Sequence, residues 1–323
     1  MNTSPPASTE AAEAARAPAR VDRRQLLSHA AWAGTALMFT ASGGVLAACS
    51  KAGGTAKAAA TTDLTFAQIS DTHLGFKGPA NPDVDATAAA AIAQINALAK
   101  PPAFVVHTGD LTHTSTPEQF DKVKQLMSTL KTTHVVYVPG EHDSTDDNGE
   151  KYRAAFGTGT KGDGWSSFDV NGVHFLALVN TLHLDKLGRL GQAQLDFVKA
   201  DLANRASSTP IVIFSHIPLF AMFPTWGWGT DDAAQALALT KRFGSVTAIN
   251  GHVHQLMTKV EGNVTFYASR GTAYPLPAPG EGGAAAAKPL TVAADKLRTV
   301  LGTRDINYVA ATGVLTVDDH SLT

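Results

Sequence analysis

Five short apolar runs in this chain each end in a carboxylate or an imidazole, and this repeated arrangement constrains the fold more than any other feature. Residues 64–69 run into Asp71-Thr72-His73, and residues 103–107 into Gly109-Asp110. Residues 134–138 run into Gly140-Glu141-His142-Asp143, 211–214 into Ser215-His216, and 246–249 into Asn250-Gly251-His252-Val253-His254. Segments of helical spacing lie between them. Residues 85–100 are Ala-rich, with Ile92, Ile95 and Leu98 on one stripe. Thr116-Pro117-Glu118-Gln119 is a capping box with proline in the first turn, and Phe120, Val123, Met127 and Leu130 line the face behind it. A further helix is expected over 191–202, further strands over 173–179 and 264–268, and a closing strand over 308–317. Alternating strands and helices predict one α/β domain with parallel strands and covering helices. In open sheets of this kind the reactive site forms outside the carboxyl ends of the strands. The five polar ends fall there.

Composition narrows the class. Of 323 residues, 44% are hydrophobic and 17% charged, which is ordinary for a globular protein and excludes a disordered chain or a multi-pass membrane protein. The 26 basic and 28 acidic residues give a net charge of −2, without the basic footprint of a nucleic-acid binder, so no nucleic-acid partner is expected. The single cysteine, Cys49, excludes an internal disulfide.

The first residues read as an address. Arg23-Arg24 precedes a weakly apolar stretch over 30–48, interrupted by Gly34, Gly43 and Gly44, and resembles a twin-arginine export signal. Leu46-Ala47-Ala48-Cys49 resembles a bacterial lipoprotein cleavage box. The resemblance implies a cleaved signal over 1–48 and a lipid on Cys49. Residues 49–62, rich in Lys, Ala, Gly and Thr, form a flexible tether, and the folded domain spans 63–323. Expected partners are then the twin-arginine machinery and a membrane. The expected location is outside the cytoplasm, anchored in a bacterial cell envelope.

The five polar ends, taken in order, resemble the calcineurin-like metallophosphoesterases, whose pattern is D-x-H, G-D, G-N-H-[DE], a lone His, and G-H-x-H. The likeness runs from residue 64 to about residue 267. It implies a β-sandwich built from β-α-β units and flanked by helices in four layers, α/β/β/α. It also implies a metal-dependent hydrolase of phosphate esters. Two metals about 3.5–4 Å apart clamp a phosphoryl group and generate a hydroxide that attacks phosphorus in line. By this resemblance Asp71, His73, Asp110 and His254 hold one metal. Asp110, Glu141, His216 and His252 hold the other, with Asp110 bridging. His142 contacts the phosphate and protonates the leaving oxygen. Mixed imidazole and carboxylate donors suit two divalent or trivalent ions of Mn, Fe, Zn or Co better than Ca.

Two positions depart from the pattern. Glu141 stands where most members carry Asn, adding a negative charge that favours a phosphodiester over a doubly charged monoester. His113 stands three residues after Asp110, where purple acid phosphatases carry Tyr, so that type is disfavoured and the partner orienting His142 is open. Ordinary packing or surface roles are expected for His107, His134, His174, His183 and His320, and a loop-fixing role for Asp143. Asn180 is open between cleft and turn, and Trp226 and Trp228 between stacking on substrate and plugging a loop. The competing readings are a metal-loaded but non-catalytic surface lipoprotein that binds a phosphorylated ligand, and a nuclease. The acidic balance counts against the nuclease.

Overall fold

The computed structural model describes Met1 and residues 62–182, 184, 186–281 and 286–322. The expected export segment, Cys49 and all but the last residue of the tether lie outside the described residues, as does His183.

Strands β1 (Leu64–Ile69), β2 (Val105–His107) and β3 (Val135–Tyr137) alternate with helices α1 (Val84–Asn96) and α2 (Pro117–Met127). After α3 (Glu150–Phe156) come β4 (Ser166–Val170), β5 (Val173–Ala177), α4 (Gln192–Leu202) and β6 (Ile211–Phe214). Helix α5 (Ala233–Thr240) leads to β7 (Val246–Asn250), β8 (Met257–Glu261) and β9 (Val264–Ala268). A short α6 (Leu297–Val300) precedes β10 (Gly302–Val309) and β11 (Val314–Ser321). The strands form two sheets, ordered β11-β10-β1-β2-β3 and β4-β5-β6-β7-β9-β8. β1, β2 and β3 are parallel to one another, and so are β5, β6, β7 and β9. Their carboxyl ends therefore share an edge within each sheet.

Period-two alternation decides which way each side chain points. On β1, Leu64 and Phe66 enter the core between the sheets, while Ala67 and Ile69 face the helices. On β6, Val212 and Phe214 face inward, and Ile211 and Ile213 meet α4 and α5. Strands buried on both faces read as continuous apolar runs, which is why they were legible without alternation. The inner core stacks Phe66 on Phe104 and Phe168 on Phe175, with ring centroids 4.8 and 4.9 Å apart. Val84, Ala88, Ile92 and Ile95 of α1 and Phe120, Val123 and Met127 of α2 cover the first sheet. Leu195, Val198 and Leu202 of α4 cover the second. The four-layer α/β/β/α sandwich is thus present.

Two local expectations need correction, and one open position is decided. The closing strand over 308–317 is a hairpin of two strands, turning through Gly313 at φ +69°. Its second strand is apolar at Val314, Leu315 and Val317 and polar from Asp318 to Ser321, and it is at most half buried, so it lacks a continuous apolar run. The capping box is half formed. Thr116 Oγ1 accepts from Gln119 N at 3.3 Å, but Gln119 Oε1 turns to Thr114 N (2.8 Å) and His113 N (3.2 Å). Gln119 therefore braces the loop that carries His113. Asn180 is a clamp: its amide donates to Ile217 O and Thr230 Oγ1, both at 2.8 Å, tying the end of β5 to the loop after His216.

Candidate dinuclear metal site

All seven expected ligand side chains converge at the shared carboxyl edge of the two sheets. Asp71, His73, Asp110 and Glu141 come from the loops after β1, β2 and β3, and His216, His252 and His254 from those after β6 and β7. The first loop continues the sheet ladder past the strand, through Asp71 N to Gly109 O (3.0 Å) and His73 N to Asp110 O (2.9 Å). Five of the seven adopt positive φ: Asp71 (53°), His73 (40°), Asp110 (51°), His252 (68°) and His254 (51°). That conformation is unfavourable for residues with a Cβ and is retained where the surroundings impose it. Gly140 makes room for the cluster, since a Cβ there would lie 2.0 Å from Asp110 Oδ1.

The ligand-type atoms form overlapping groups: two sets lie on either side of Asp110, and His142 falls with Asp110 and Glu141 and also with His73 and His113. Asp71, His73 and His254 form one compact group, and Glu141, His216 and His252 another. Within the first, His254 Nε2 is 3.2 Å from Asp71 Oδ1 and 3.3 Å from His73 Nε2. Within the second, Glu141 Oε2 is 2.9 Å from His216 Nε2, and its Oε1 is 2.9 Å from His252 Nδ1. Asp110 Oδ2 lies 3.4 Å from both His73 Nε2 and His216 Nε2, midway between the sets. Metal–donor bonds of about 2.0–2.2 Å place neighbouring donors about 2.8–3.6 Å apart, the range seen here. Several contacts are close yet lack hydrogen-bond alignment. Asp71 Oδ2, Glu141 Oε2, His216 Nε2 and both nitrogens of His252 are buried with no hydrogen-bond partner. Donors that converge on common points instead of on one another fit a binuclear metal centre.

Backbone groups aim the side chains. His216 Nδ1 donates to Thr108 O (2.7 Å) and His254 Nδ1 to Tyr274 O (2.5 Å), which turns each Nε2 into the cluster. His252 N donates to Asp71 Oδ1 (3.0 Å) and His142 N to Asp110 Oδ1 (2.9 Å), fixing each carboxylate. Asp143 accepts from Leu111 N, Thr112 N, Gly140 N and the Thr112 hydroxyl at 2.8–3.0 Å, and so pins the β2 and β3 loops together. Burial opposes charge on Asp71, but His254 and His216 outweigh it and hold its pKa near 2. Burial likewise disfavours charge on His216, yet Asp110 and Glu141 raise its pKa well above the usual value. His73 is held well below that value by burial and by the neighbouring imidazoles of His142 and His254. Ligand imidazoles must be neutral, so metal uptake releases protons.

His142 stands beside both sets. Its Nδ1–H donates to the carbonyl of His113 at 2.7 Å, and the two rings stack at 4.9 Å. The partner that the motifs left open is therefore a main-chain carbonyl, which has no sequence signature. Burial opposes its protonation, but Asp110 and Glu141 together raise its pKa. His113 itself sits behind His73, with its Nδ1 3.5 Å from His73 Nδ1. Tyr274, which carried no motif, stacks on both His73 (4.8 Å) and His254 (4.9 Å). The other described histidines, His107, His134, His174 and His320, belong to none of the ligand-type groups. His107 is buried against Thr72, His174 lies between Asp169 and Asp201, His134 is exposed, and His320 pairs with Asp305. Trp226 and Trp228 are buried in a cluster with Val253 and Ala268, yet both line the cavity over the site.

Residues 64–256 match the model of the calcineurin-like phosphoesterase family, and the chain belongs to that family. It is a metal-dependent hydrolase of phosphoric esters. A probable cyclic nucleotide phosphodiesterase of Rhodopseudomonas palustris is 26% identical over 226 residues, covering 65% of this chain and 79% of the relative. A serine/threonine-protein phosphatase of Danio rerio is 29% identical over 187 residues, covering 51% of this chain and 58% of the relative. The chain thus spans a little over half of that phosphatase. A solved dimetal phosphatase from Danio rerio shares the fold, with a TM-score of 0.54 and 13% identity over 80% of this chain and 99% of that one.

Proposed function

We propose that this protein is a dinuclear-metal phosphoesterase that prefers phosphodiesters and acts outside the cytoplasm. Asp71, His73, Asp110 and His254 hold one metal. Asp110, Glu141, His216 and His252 would hold the second, with Asp110, whose carboxylate lies 3.4 Å from an imidazole of each set, shared between them. When bound, such a pair supplies Lewis acidity, neutralises phosphoryl charge and lowers the pKa of a coordinated water. The chain's own residues do the rest. His142, locked through Nδ1 to the His113 carbonyl, presents Nε2 to the leaving oxygen and delivers a proton there.

Glu141 carries the diester preference. Both of its oxygens lie 2.9 Å from second-set imidazoles, so its charge sits at the metal site itself. The described residues lining the cavity include no Lys or Arg to offset it. A singly charged diester is repelled less than a doubly charged monoester, and charges in a cleft interact more strongly than in water. The likeness to a probable cyclic nucleotide phosphodiesterase supports the same reading. In Glu141→Asn the ratio of kcat/KM for a monoester over a diester should rise at saturating metal. A ratio that stays fixed or moves toward diesters refutes the charge account.

Arg23-Arg24 supports export in the folded state, Cys49 supports a lipid anchor, residues 49–62 are the tether, and residues 63–323 are the phosphoesterase domain. Cys49→Ala should shift the protein from the membrane fraction to the soluble fraction of the envelope. Unchanged membrane retention excludes the anchor.

A further inference from the structure

The cavity of about 320 Å³ over the metal site has two chemically distinct parts. One is the polar cluster of His, Asp and Glu. The other is apolar, formed by Trp226, Trp228, Tyr274, Leu276 and Pro289. The two tryptophans are only 8% and 2% exposed. Their rings meet edge to face at 5.2 Å, and Phe223 packs edge-on against Trp226 at 5.1 Å. The apolar part is therefore a firmly packed wall. It adjoins the centre directly, because Tyr274 stacks on His73 and His254, and Val253, between two expected ligands, packs in the tryptophan cluster.

We infer that this wall seats the alcohol that stays on phosphorus, and that this alcohol is apolar or aromatic. The inference rests on the phosphodiester reading and deepens it. The leaving oxygen belongs beside His142, whose ring packs on His113 and His73. Tyr274 reaches His73, against which His142 also packs, but the tryptophans cluster with Val253, between His252 and His254, so the tryptophan end of the wall is assigned to the other ester group. A peptide or a polyhydroxylated alcohol placed there would bury polar groups without partners, at a cost of about 1–3 kcal/mol each. A flat ring leaves nothing unsatisfied, and a cavity of this size takes a single small ligand.

The test uses the metal-loaded protein. Calorimetric titration compares diphenyl phosphate with dimethyl phosphate, which carry the same charge. The wall predicts about tenfold or greater preference for the diphenyl ester, the order expected from burying a ring. In Leu276→Asn the preference for the diphenyl ester should fall below about threefold. Turnover of phenyl and methyl 4-nitrophenyl phosphate, which share a leaving group, should show the same preference in kcat/KM. Equal affinities in the wild type overturn the inference, as does a ratio unchanged in both Leu276→Asn and Trp226→Ala. Equal kcat/KM values exclude the retained alcohol as the group on the wall. If neither ester is hydrolysed, the phosphodiesterase reading fails, and the binding ratio still decides the wall.

Discussion

At the scale of single residues, the site is built by conformations that side chains ordinarily avoid. Positive φ at Asp71, His73, Asp110, His252 and His254 bends the chain sharply just past β1, β2 and β7, so that alternate residues turn toward one centre. Such conformations cost of order 1–3 kcal/mol each, offset by the sheet ladder and by the bonds that fix each loop. His142 differs from its neighbours in kind. Although its ring lies near enough to Asp110 and Glu141, and to His73 and His113, to be a ligand by distance alone, its Nδ1 is occupied by the His113 carbonyl. His142→Ala should therefore keep two metals per chain and reduce kcat by roughly 10²–10⁴-fold, the range for a positioned acid. Elemental analysis beside steady-state kinetics decides the matter. A loss of metal in that variant would make His142 a ligand.

At the scale of elements, what was legible in the sequence follows from burial. β6 is covered on both faces and is an uninterrupted apolar run, β1 and β9 are mostly apolar, and the expected bounds of all three coincide with the observed ones. β4, β8 and β11 lie on sheet edges with one face open, and their mixed composition hid them. The convergence of seven polar residues was readable because each follows a strand directly. The carbonyls of Thr108, His113 and Tyr274 that aim three imidazoles were not, since any residue supplies a carbonyl. Equally hidden was the link between the sheets behind the site. Arg304 on β10, 2% exposed, donates to both oxygens of Asp319 at 2.8 and 3.1 Å and reaches Ala268 O on β9 at 3.0 Å. Gln68 on β1 donates to Thr108 Oγ1, Asn250 O and Ser269 Oγ, joining the same two sheets. Removing one member of a buried ionic pair strands its partner. Arg304→Met should lower stability by about 3 kcal/mol, the low end for such pairs because water reaches Asp319. Urea unfolding measures it, and a change below about 1 kcal/mol would show that the Arg304 bridge does not hold the sheets together.

For the whole molecule, part of the response to acid comes from histidines folded away in the neutral form. His107 is fully buried at the end of β2. Its Nε2–H donates to Thr72 Oγ1 at 3.0 Å, and Thr72 passes its own proton to Leu111 O at 2.8 Å. Its Nδ1 accepts from Gly109 N at 3.3 Å. A second ring proton would point at that N–H, and burial already disfavours charge, so the pKa falls to about 3. His174 is also shifted down, by burial and by Arg205. The sign follows from proton linkage. Above about pH 6.5 both folded and unfolded chains carry the neutral ring, and the contribution to stability is intact. Between about 6.5 and 3 the unfolded chain binds a proton that the folded one refuses, so stability falls as pH falls. Below about 3 both bind it and the loss levels off. Over the step from pH 6.5 to 5, His107 alone should account for about 2 kcal/mol. Protonation of the metal-site histidines acts in the same range, so the measurement is a difference. Unfolding free energies of wild type and His107→Gln are taken at both pH values in the same metal-stripped buffer, and the variant should lose about 2 kcal/mol less. Equal losses would mean that His107 takes up its proton in the folded state, and that acid acts on this molecule through other groups.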